Sequence, residues 1–138
     1  VDVHFLKPHT FMNASGRSVQ ALLRYLKISA RELLCVHDDI TLETGRMKLS
    51  LGGGDGGHNG IKDLRNVIGP DFARFRVGVG ARDDREQDLR EHVLGRFSIE
   101  EAANLDQRMR LYRNSIGLII QKGPVLAMNT INQDKPNL

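Results

Sequence analysis

A run of nine residues, Gly52 to Gly60, contains six glycines and two side chains that can do chemistry, His58 and Asn59. Glycine is favoured where φ must be positive or where the main chain must approach a ligand without a Cβ in the way. The residues after the run have the apolar spacing of a helix. A glycine loop that leads into a helix N-terminus presents N–H groups to an anion or a carbonyl oxygen. We therefore expect a binding loop that carries an imidazole and an amide.

Gly52, Gly54 and Gly57 also have the spacing of a dinucleotide-binding loop, but their surroundings disfavour that interpretation. The preceding residues alternate polar and apolar, whereas the central parallel strand of that fold is a continuous apolar run. Asp55 would also place a carboxylate in the phosphate cradle. A phosphate loop needs Lys-Ser or Lys-Thr at its end, and neither is present. A flexible hairpin connection would explain the glycines but not the His-Asn pair.

A second polar set, His37-Asp38-Asp39, follows the apolar run Leu33 to Val36. The run predicts a buried strand, and ligands in open α/β sheets gather at the carboxyl ends of strands. Two turn-forming aspartates would give the same pattern without a site, so both interpretations stay open. A metal site made of His37, Asp38 and His58 has weaker support, because the sequence has no second ligand pair with regular spacing.

Several segments have the alternation of strands and could position these residues. Apolar and polar residues alternate in three segments, residues 1–6, 46–51 and 72–80. The third segment places Arg74 and Arg76 on one face, where they form a basic edge. Together with the helical segments they predict an α/β fold, with one domain over residues 1–138 and a mixed twisted sheet flanked by helices.

Two amphipathic helices are also expected. Ser15 is predicted to cap the first, whose apolar face runs from Val19 to Leu26. The second opens at the capping box of Ser98 and stops before Gly123-Pro124. Its inward face is predicted to contain Ala102, Leu105, Met109, Tyr112, Ile116 and Ile119.

The composition is that of an ordinary globular protein with a basic balance. The chain has 138 residues, a net charge of +3 and a pI near 9.3, which are compatible with an RNA partner. Cys35 is the only cysteine, so no intrachain disulfide can form, and its apolar neighbours indicate a buried thiol. No apolar run is long enough to span a membrane, and nothing indicates secretion.

Four motifs together resemble the bacterial peptidyl-tRNA hydrolase family, from the first residue to about Phe97. They are Lys7-Pro8-x-Thr10-Phe11-Met12-Asn13-x-Ser15-Gly16, His37-Asp38-Asp39, Gly52-Gly53-Gly54-x-Gly56-Gly57-His58-Asn59-Gly60 and Phe72-x-Arg74-x-Arg76-x-Gly78-x-Gly80. The resemblance implies one α/β domain with a mixed sheet among helices. It also implies a monomeric cytoplasmic enzyme that hydrolyses the ester between peptide and tRNA in peptidyl-tRNA, without metal or cofactor.

The family's pattern also implies roles for individual residues. Asp38 would orient and polarise a catalytic histidine, and Asn13 and Asn59 would hold the substrate. Two further side chains, Phe11 and His58, would line the same cleft. The tRNA phosphates would be contacted by Lys48, Arg74 and Arg76. Ser50 departs from the pattern, because family members often have a further basic residue there.

The family's opening segment, Gly-Asn-Pro-Gly followed by Thr-Arg-His-Asn, contains the catalytic histidine and does not occur in this sequence. None of the five histidines, His4, His9, His37, His58 and His92, lies in that motif. We expect the domain to be incomplete at its N-terminus, without its first strands, and the 138 residues alone to be inactive. The alternative is a non-catalytic RNA-binding relative with the same fold.

Overall fold

The computed structural model describes residues 2–9, 14–80 and 99–136, which form an α/β fold. Its three strands make a mixed sheet in the order β1-β3-β2, which confirms the predicted fold class. None of the helices in this part of the chain is long and apolar enough to cross a membrane. The elements are α1 (Ser15–Leu26), β1 (Leu34–Asp39), β2 (Met47–Leu51), α2 (Asn59–Ile68), β3 (Ala73–Gly78), α3 (Ile99–Lys122) and α4 (Pro124–Asn132), with a single 3-10 turn at Ala30–Glu32.

The chain divides into two compact units, which we describe separately. The first unit comprises Val1–Cys35 and Ser50–Arg74, and the second comprises Val36–Leu49 and Phe75–Leu138. The organisation as one domain over residues 1–138 therefore stays a prediction.

The core of the first unit forms where α1 packs on α2. Val19 and Leu23 of α1 are buried together with Ile61 and Leu64 of α2 and with Phe72. These positions are three or four residues apart on each helix, which is the spacing that puts them on one face. Removing such side chains from water is the main contribution to the stability of the unit, at about 25 cal/mol per Å² of apolar surface.

The N-terminus of α1 is stabilised by the other helix and not by the predicted serine cap. The cap position is Ala14, which makes no side-chain hydrogen bond, and Ser15 is the first helical residue. The Gly16 N–H donates to the Asp63 carboxylate at 2.6 Å. The prediction of a Ser15 cap was therefore wrong, because a carboxylate from α2 satisfies the exposed N–H and complements the positive end of the helix dipole.

The predicted first strand is absent. Residues 2–9 have no regular secondary structure, and the Phe5 side chain is 88% exposed. The alternating pattern of this segment favours a strand, but a strand is stabilised by ladder hydrogen bonds to a neighbour. Residues 2–9 form no such ladder with any strand in the described part of the chain.

The second unit has its own core, centred on Phe75. This side chain is fully buried and packs edge to face against Tyr112 of α3, with ring centroids 6.1 Å apart. Further buried residues come from the loop after β1, from β2 and from the two C-terminal helices. They are Leu42, Met47, Leu49, Ile119, Ala127 and Ile131.

The long helix ends at Lys122, as predicted, but Pro124 then starts α4. Proline is favoured in the first turn of a helix, because it lacks an N–H that would have no partner there. Only part of the predicted inward face of α3 is buried. Tyr112 and Ile119 are buried, whereas Leu105 and Met109 are 44% and 47% exposed. The prediction was wrong for these two residues, because their side chains stay nearly half exposed to solvent. The Ser98 cap and the Ala102 side chain lie outside what the structure describes.

Side chains from the end of the chain cover the outer edge of β2. The Asn132 amide accepts from the Leu49 N–H at 2.7 Å and donates to the Leu49 carbonyl at 3.0 Å, as a neighbouring strand would. The Asp134 carboxylate accepts from the Met47 N–H at 3.0 Å and forms an ion pair with Arg108. Main-chain groups of this edge strand are thereby paired without a further strand.

Candidate active site

The glycine run has the predicted place between a strand and a helix. It connects β2, which ends at Leu51, with α2, which begins at Asn59. Gly52, Gly53, Gly56 and Gly57 all have positive φ, which explains why glycine is needed there. β2 is an edge strand in the sheet, whereas a dinucleotide-binding loop follows a central strand.

Asp55 has a structural role within this loop. Its carboxylate accepts from the Gly57 N–H at 2.9 Å, and its carbonyl accepts from the His58 N–H at 3.0 Å. These two bonds close a turn of the kind that aspartate favours. The Asp55 carboxylate therefore binds one of the loop N–H groups that a phosphate cradle would offer to its ligand.

His58 and Asn59 lie where the loop becomes helix α2. His58 is the N-cap, and its Nδ1 accepts from the Ile61 N–H at 3.2 Å. Nδ1 is then the unprotonated nitrogen of the neutral ring, so Nε2 carries the proton. Asn59 is the first residue of the helix, so its amide lies at the positive end of the helix dipole, and its side chain is exposed. This is a suitable position for holding a carbonyl oxygen or a carboxylate.

Arg74 of β3 supports the glycine loop. Its side chain is only 6% exposed, and it donates to the Gly52 carbonyl at 2.8 Å. The sequence predicted that Arg74 would belong to an exposed basic edge, and this burial contradicts that part of the prediction. Ala73, Arg74 and Phe75 are consecutive and all three are buried, so alternation along β3 does not separate core from solvent. A contact between Arg74 and tRNA stays a prediction.

Cys35 lies at the edge of the first core, as the sequence indicated. It packs against the buried residues of α1 and α2. Burial raises the pKa of its thiol to about 11, against the opposing effect of the Arg74 charge. A thiol with such a pKa is protonated at neutral pH and is a poor nucleophile.

In the second unit, the polar set at the end of β1 contains one exposed and one buried carboxylate. Asp38 is exposed and Asp39 is 7% exposed, because consecutive residues of a strand point to opposite faces. The His37 Nδ1 lies 2.7 Å from the Asp38 carbonyl oxygen and donates to it when protonated. Both aspartates lie at the end of the strand, as predicted. Val36, which was predicted to be buried, is 54% exposed.

Asp39 is held by donors from two elements. One carboxylate oxygen accepts from the Thr41 N–H at 2.7 Å and the Thr41 hydroxyl at 2.5 Å, and the other accepts from Arg76 Nε at 2.7 Å. Burial on its own would raise the pKa of Asp39, but the hydrogen bonds from Thr41 and Arg76 outweigh it and lower the pKa. Asp39 is therefore ionised at neutral pH.

The sequence did not assign a role to Asp39 or Thr41. The spacing Asp-x-Thr is a signal for an aspartate that closes a turn onto the residue two positions ahead, and this is what the structure has. The partner Arg76 is 37 residues away in sequence, so nothing local indicated it.

Lys48 is the remaining basic residue of the predicted tRNA contacts. It lies on β2 between Met47 and Leu49, which are both buried, and is itself half-buried. The predicted alternation of this strand is confirmed from Met47 to Ser50, whereas Leu51 is 44% exposed. Lys48 projects from the face opposite to the two buried side chains.

Two predicted site residues, Phe11 and Asn13, lie outside the described residues, and so does His92. Within the described ranges, no group of three His, Cys, Asp or Glu side chains is arranged to hold a metal ion.

The fold and these side chains define an α/β protein with a glycine loop, a strand-end carboxylate and an amide at a helix N-terminus. The chain belongs to the peptidyl-tRNA hydrolase family, whose model matches residues 1–137.

Two relatives show the extent of the similarity. The chain is 43% identical over 132 residues to a peptidyl-tRNA hydrolase of Anaeromyxobacter dehalogenans (strain 2CP-C), covering 95% of this chain and 68% of the relative. It is 44% identical over 117 residues to the one from Rickettsia peacockii (strain Rustic), covering 85% and 64%.

Solved structures agree with these relatives. The chain is similar to the crystal structure of peptidyl-tRNA hydrolase from Acinetobacter baumannii, with a TM-score of 0.76 and 36% sequence identity, over 94% of this chain and 65% of that one. The chain thus spans about two thirds of the length of the relatives it matches.

Proposed function

We propose that this chain serves in the hydrolysis of the ester bond between peptide and tRNA in peptidyl-tRNA. The observation that carries the proposal is the family match over residues 1–137, at 43% identity to a named peptidyl-tRNA hydrolase. Asp38 and Asn59, which the family's pattern marks, are both exposed and lie on regular elements. Such elements hold a functional side chain more accurately than a loop does.

The reaction needs few groups. The oxygen of a water molecule attacks the ester carbonyl carbon, the bond to the ribose oxygen breaks, and that oxygen takes up a proton. The products are a peptide with a free carboxylate and a tRNA with a free hydroxyl. A base must remove a proton from the water, and donors must stabilise the negative charge on the carbonyl oxygen. This chemistry can proceed without a metal or a cofactor.

Each residue can be given a part in this reaction. In the proposal, the Asp38 carboxylate accepts an N–H from a catalytic histidine and so orients and polarises it, as in other histidine-carboxylate pairs. Asn13 and Asn59 donate to the substrate carbonyl groups through their amides and accept from its N–H groups. Phe11 and His58 line the same cleft. His58 can contribute through Nε2, since its Nδ1 is used by the helix cap.

The tRNA is held by its backbone charge in this proposal. Lys48 contacts a phosphate, a contact that does not depend on sequence and so fits an enzyme that acts on every tRNA. The net charge of +3 supports such a partner. The proposal includes a monomeric enzyme that works in the cytoplasm, where peptidyl-tRNA is found.

The catalytic histidine is the group that these 138 residues lack, since none of their histidines lies in the family's motif. We therefore expect no hydrolysis by the chain as printed, and hydrolysis by a histidine-bearing form. That form joins the family's opening Gly-Asn-Pro-Gly and Thr-Arg-His-Asn segment to the front of this chain. The assay measures the release of an N-blocked amino acid from tRNA in a metal-free buffer. Tight tRNA binding without any release by the histidine-bearing form would favour the non-catalytic RNA-binding alternative.

Asp38→Asn in the histidine-bearing form tests the central residue. Asparagine has nearly the same shape but no charge, so the fold and the tRNA affinity should be retained. The kcat should fall by about 10²–10⁴, the usual contribution of general-base assistance. Asp106→Asn is the matched control, because Asp106 is an exposed aspartate of α3 in the same unit. Equal activity of the two variants would overturn the role of Asp38.

A further inference from the structure

We propose that Asp63 is a positioning residue for substrate binding, which fixes the Asn59 amide relative to the N-terminal end of α1. The inference rests on the proposed function, because it concerns how an amide that binds the substrate is held in place. It is carried by the contact between α1 and α2 at Gly16 and Asp63, both in the first unit.

A hydrogen bond joins α1 to α2 near the start of both helices. The Gly16 N–H of α1 donates to the Asp63 carboxylate of α2 at 2.6 Å. Because the acceptor is a carboxylate at the positive end of the α1 dipole, this bond is stronger than one between neutral groups. Asp63 is half-buried, so water competes for its carboxylate less than it would at an open surface.

The two helices also approach each other closely at this point. A Cβ on Gly16 would lie 2.7 Å from an Asp63 carboxylate oxygen, 2.8 Å from the Val67 Cγ2 and 3.0 Å from the Asp63 carbonyl oxygen. All three distances are shorter than an ordinary contact of about 3.5 Å, so glycine is what lets the first turn of α1 rest on α2 here. Both the side chain and the main chain of Asp63 therefore determine where α1 lies along α2.

Asn59 lies about one helical turn before Asp63 on α2. Residues four apart in a helix are neighbours on one face, so Asn59 and Asp63 share the face that meets α1. The Asn59 side chain is exposed at the beginning of this face. The N-terminal cap of α1 is Ala14, and one peptide bond joins it to Asn13, the other amide of the proposed site. A shift of α1 along α2 would therefore move the chain that leads to Asn13 relative to Asn59.

Variants of Asp63 in the histidine-bearing form test this role. Asp63→Ala removes the acceptor and should lower kcat/KM by about 10- to 100-fold, the size expected when a substrate-binding group is slightly misplaced. Asp63→Asn should retain most of kcat/KM, because its amide oxygen can still accept from the Gly16 N–H. The matched control is Asp71→Ala, which removes an exposed aspartate of the same unit and should leave kcat/KM unchanged. Thermal melts of every variant show whether it folds.

A double-mutant cycle separates positioning from stability. Asp63→Ala is made both alone and together with Asn59→Ala. If Asp63 acts through Asn59, Asp63→Ala should lower kcat/KM by less than about twofold once Asn59 is already replaced, because residues that act as one unit are not additive. A role in stability alone would give the same loss in both backgrounds. If Asp63→Ala does not fold, the cycle is run with Asp63→Glu. This variant keeps the charge but lengthens the side chain by one methylene and so displaces α1, and it should give the same pattern.

The outcomes distinguish failure of this inference from failure of the proposed function. An inactive parent in the histidine-bearing form would remove the proposed function and the inference with it. An active parent with full kcat/KM in Asp63→Ala would overturn the positioning role and leave the function standing. Equal losses from Asp63→Ala with and without Asn59 would also overturn it. A loss that Asp63→Asn avoids, and that disappears in the Asn59→Ala background, would support it.

Discussion

Gly78, the last residue of β3, lies against the loop that follows β1, and its replacement by alanine has a calculable effect. A Cβ at this position would lie 2.0 Å from the Glu43 carbonyl oxygen and 2.9 Å from the Leu42 Cβ. An ordinary contact is about 3.5 Å, so the Glu43 carbonyl would have to move by about 1.5 Å. Gly78 does not have positive φ, so the effect is steric and not a matter of backbone conformation.

The loop cannot move this far without losing hydrogen bonds. The Gly45 N–H donates to the Gly78 carbonyl at 2.8 Å, and the Gly78 N–H donates to the Arg46 carbonyl at 2.8 Å. Losing both bonds costs about 1–3 kcal/mol, and overpacking costs a further 1–3 kcal/mol, so the free energy of unfolding should fall by roughly 2–6 kcal/mol. This is a large part of the total stability of a small domain, about 5–15 kcal/mol.

The assay is thermal unfolding of Gly78→Ala beside a matched variant, Gly117→Ala. Gly117 is a helical glycine of α3 in the same unit, and a Cβ there would meet nothing within 4 Å. Alanine should stabilise that helix by about 0.5–1 kcal/mol and raise the Tm. Gly78→Ala should melt at least about 6 °C below the parent. A melt within a degree or two of the parent, together with the expected rise for Gly117→Ala, would show that the loop does not pack on Gly78 as described.

Three further predictions concern charge and titration. Burial raises the pKa of the Cys35 thiol to about 11. This thiol should therefore react with iodoacetamide at pH 7.5 far more slowly in the folded chain than in urea. Equal rates would show that the thiol is not buried. The pKa values of Asp39 and Asp134 are lowered in the folded chain by hydrogen bonds that outweigh the effect of burial. On acidification, the unfolded state therefore takes up these two protons at a higher pH than the folded state does. Their stabilisation is present above about pH 4, the unfolded pKa, and is lost as pH falls through the folded values; the Tm of Asp134→Asn should depend less on pH in this range. Lys48→Ala should weaken binding to all tRNAs alike, and unequal losses would show that Lys48 reads bases.

Sequence patterns predicted those helices, strands and loops whose formation depends on residues close together in the chain. The strand, the glycine loop and the helix around Asn59 could be read from alternation, glycine content and helical spacing. The pattern at residues 1–6 is equally clear, yet residues 2–6 form no strand with the part of the chain that the structure describes. The reason is that β structure depends on a partner that the sequence of one segment does not reveal. Arg74 shows the same limit, because its place in the alternating pattern indicated an exposed side chain, whereas it is buried beside the buried Ala73 and Phe75.

The candidate site was predictable in a different way. Asp38 and Asn59 were selected because their motifs resemble a family, and their exposure fits that selection. The set of hydrogen bonds that holds Asp39 could not be predicted from the resemblance or from the spacing of residues. Only its Asp-x-Thr turn is local, and its charge partner comes from a strand that follows 37 residues later. Ion pairs of this kind depend on which strands become neighbours, and that is a property of the whole sheet.

The covering of β2 by Asn132 and Asp134 has a consequence for the chain while it is being made. The groups on β2 leave the ribosome 83 and 87 residues before the side chains that pair with them. At about 5–20 residues per second, the edge of β2 therefore stays open for roughly 4–17 s in each round of translation. An unpaired strand edge is a template for another nascent chain on the same messenger RNA. Slowing translation of the last helices should thus increase aggregation of the newly made protein, even though the finished fold has its edge closed.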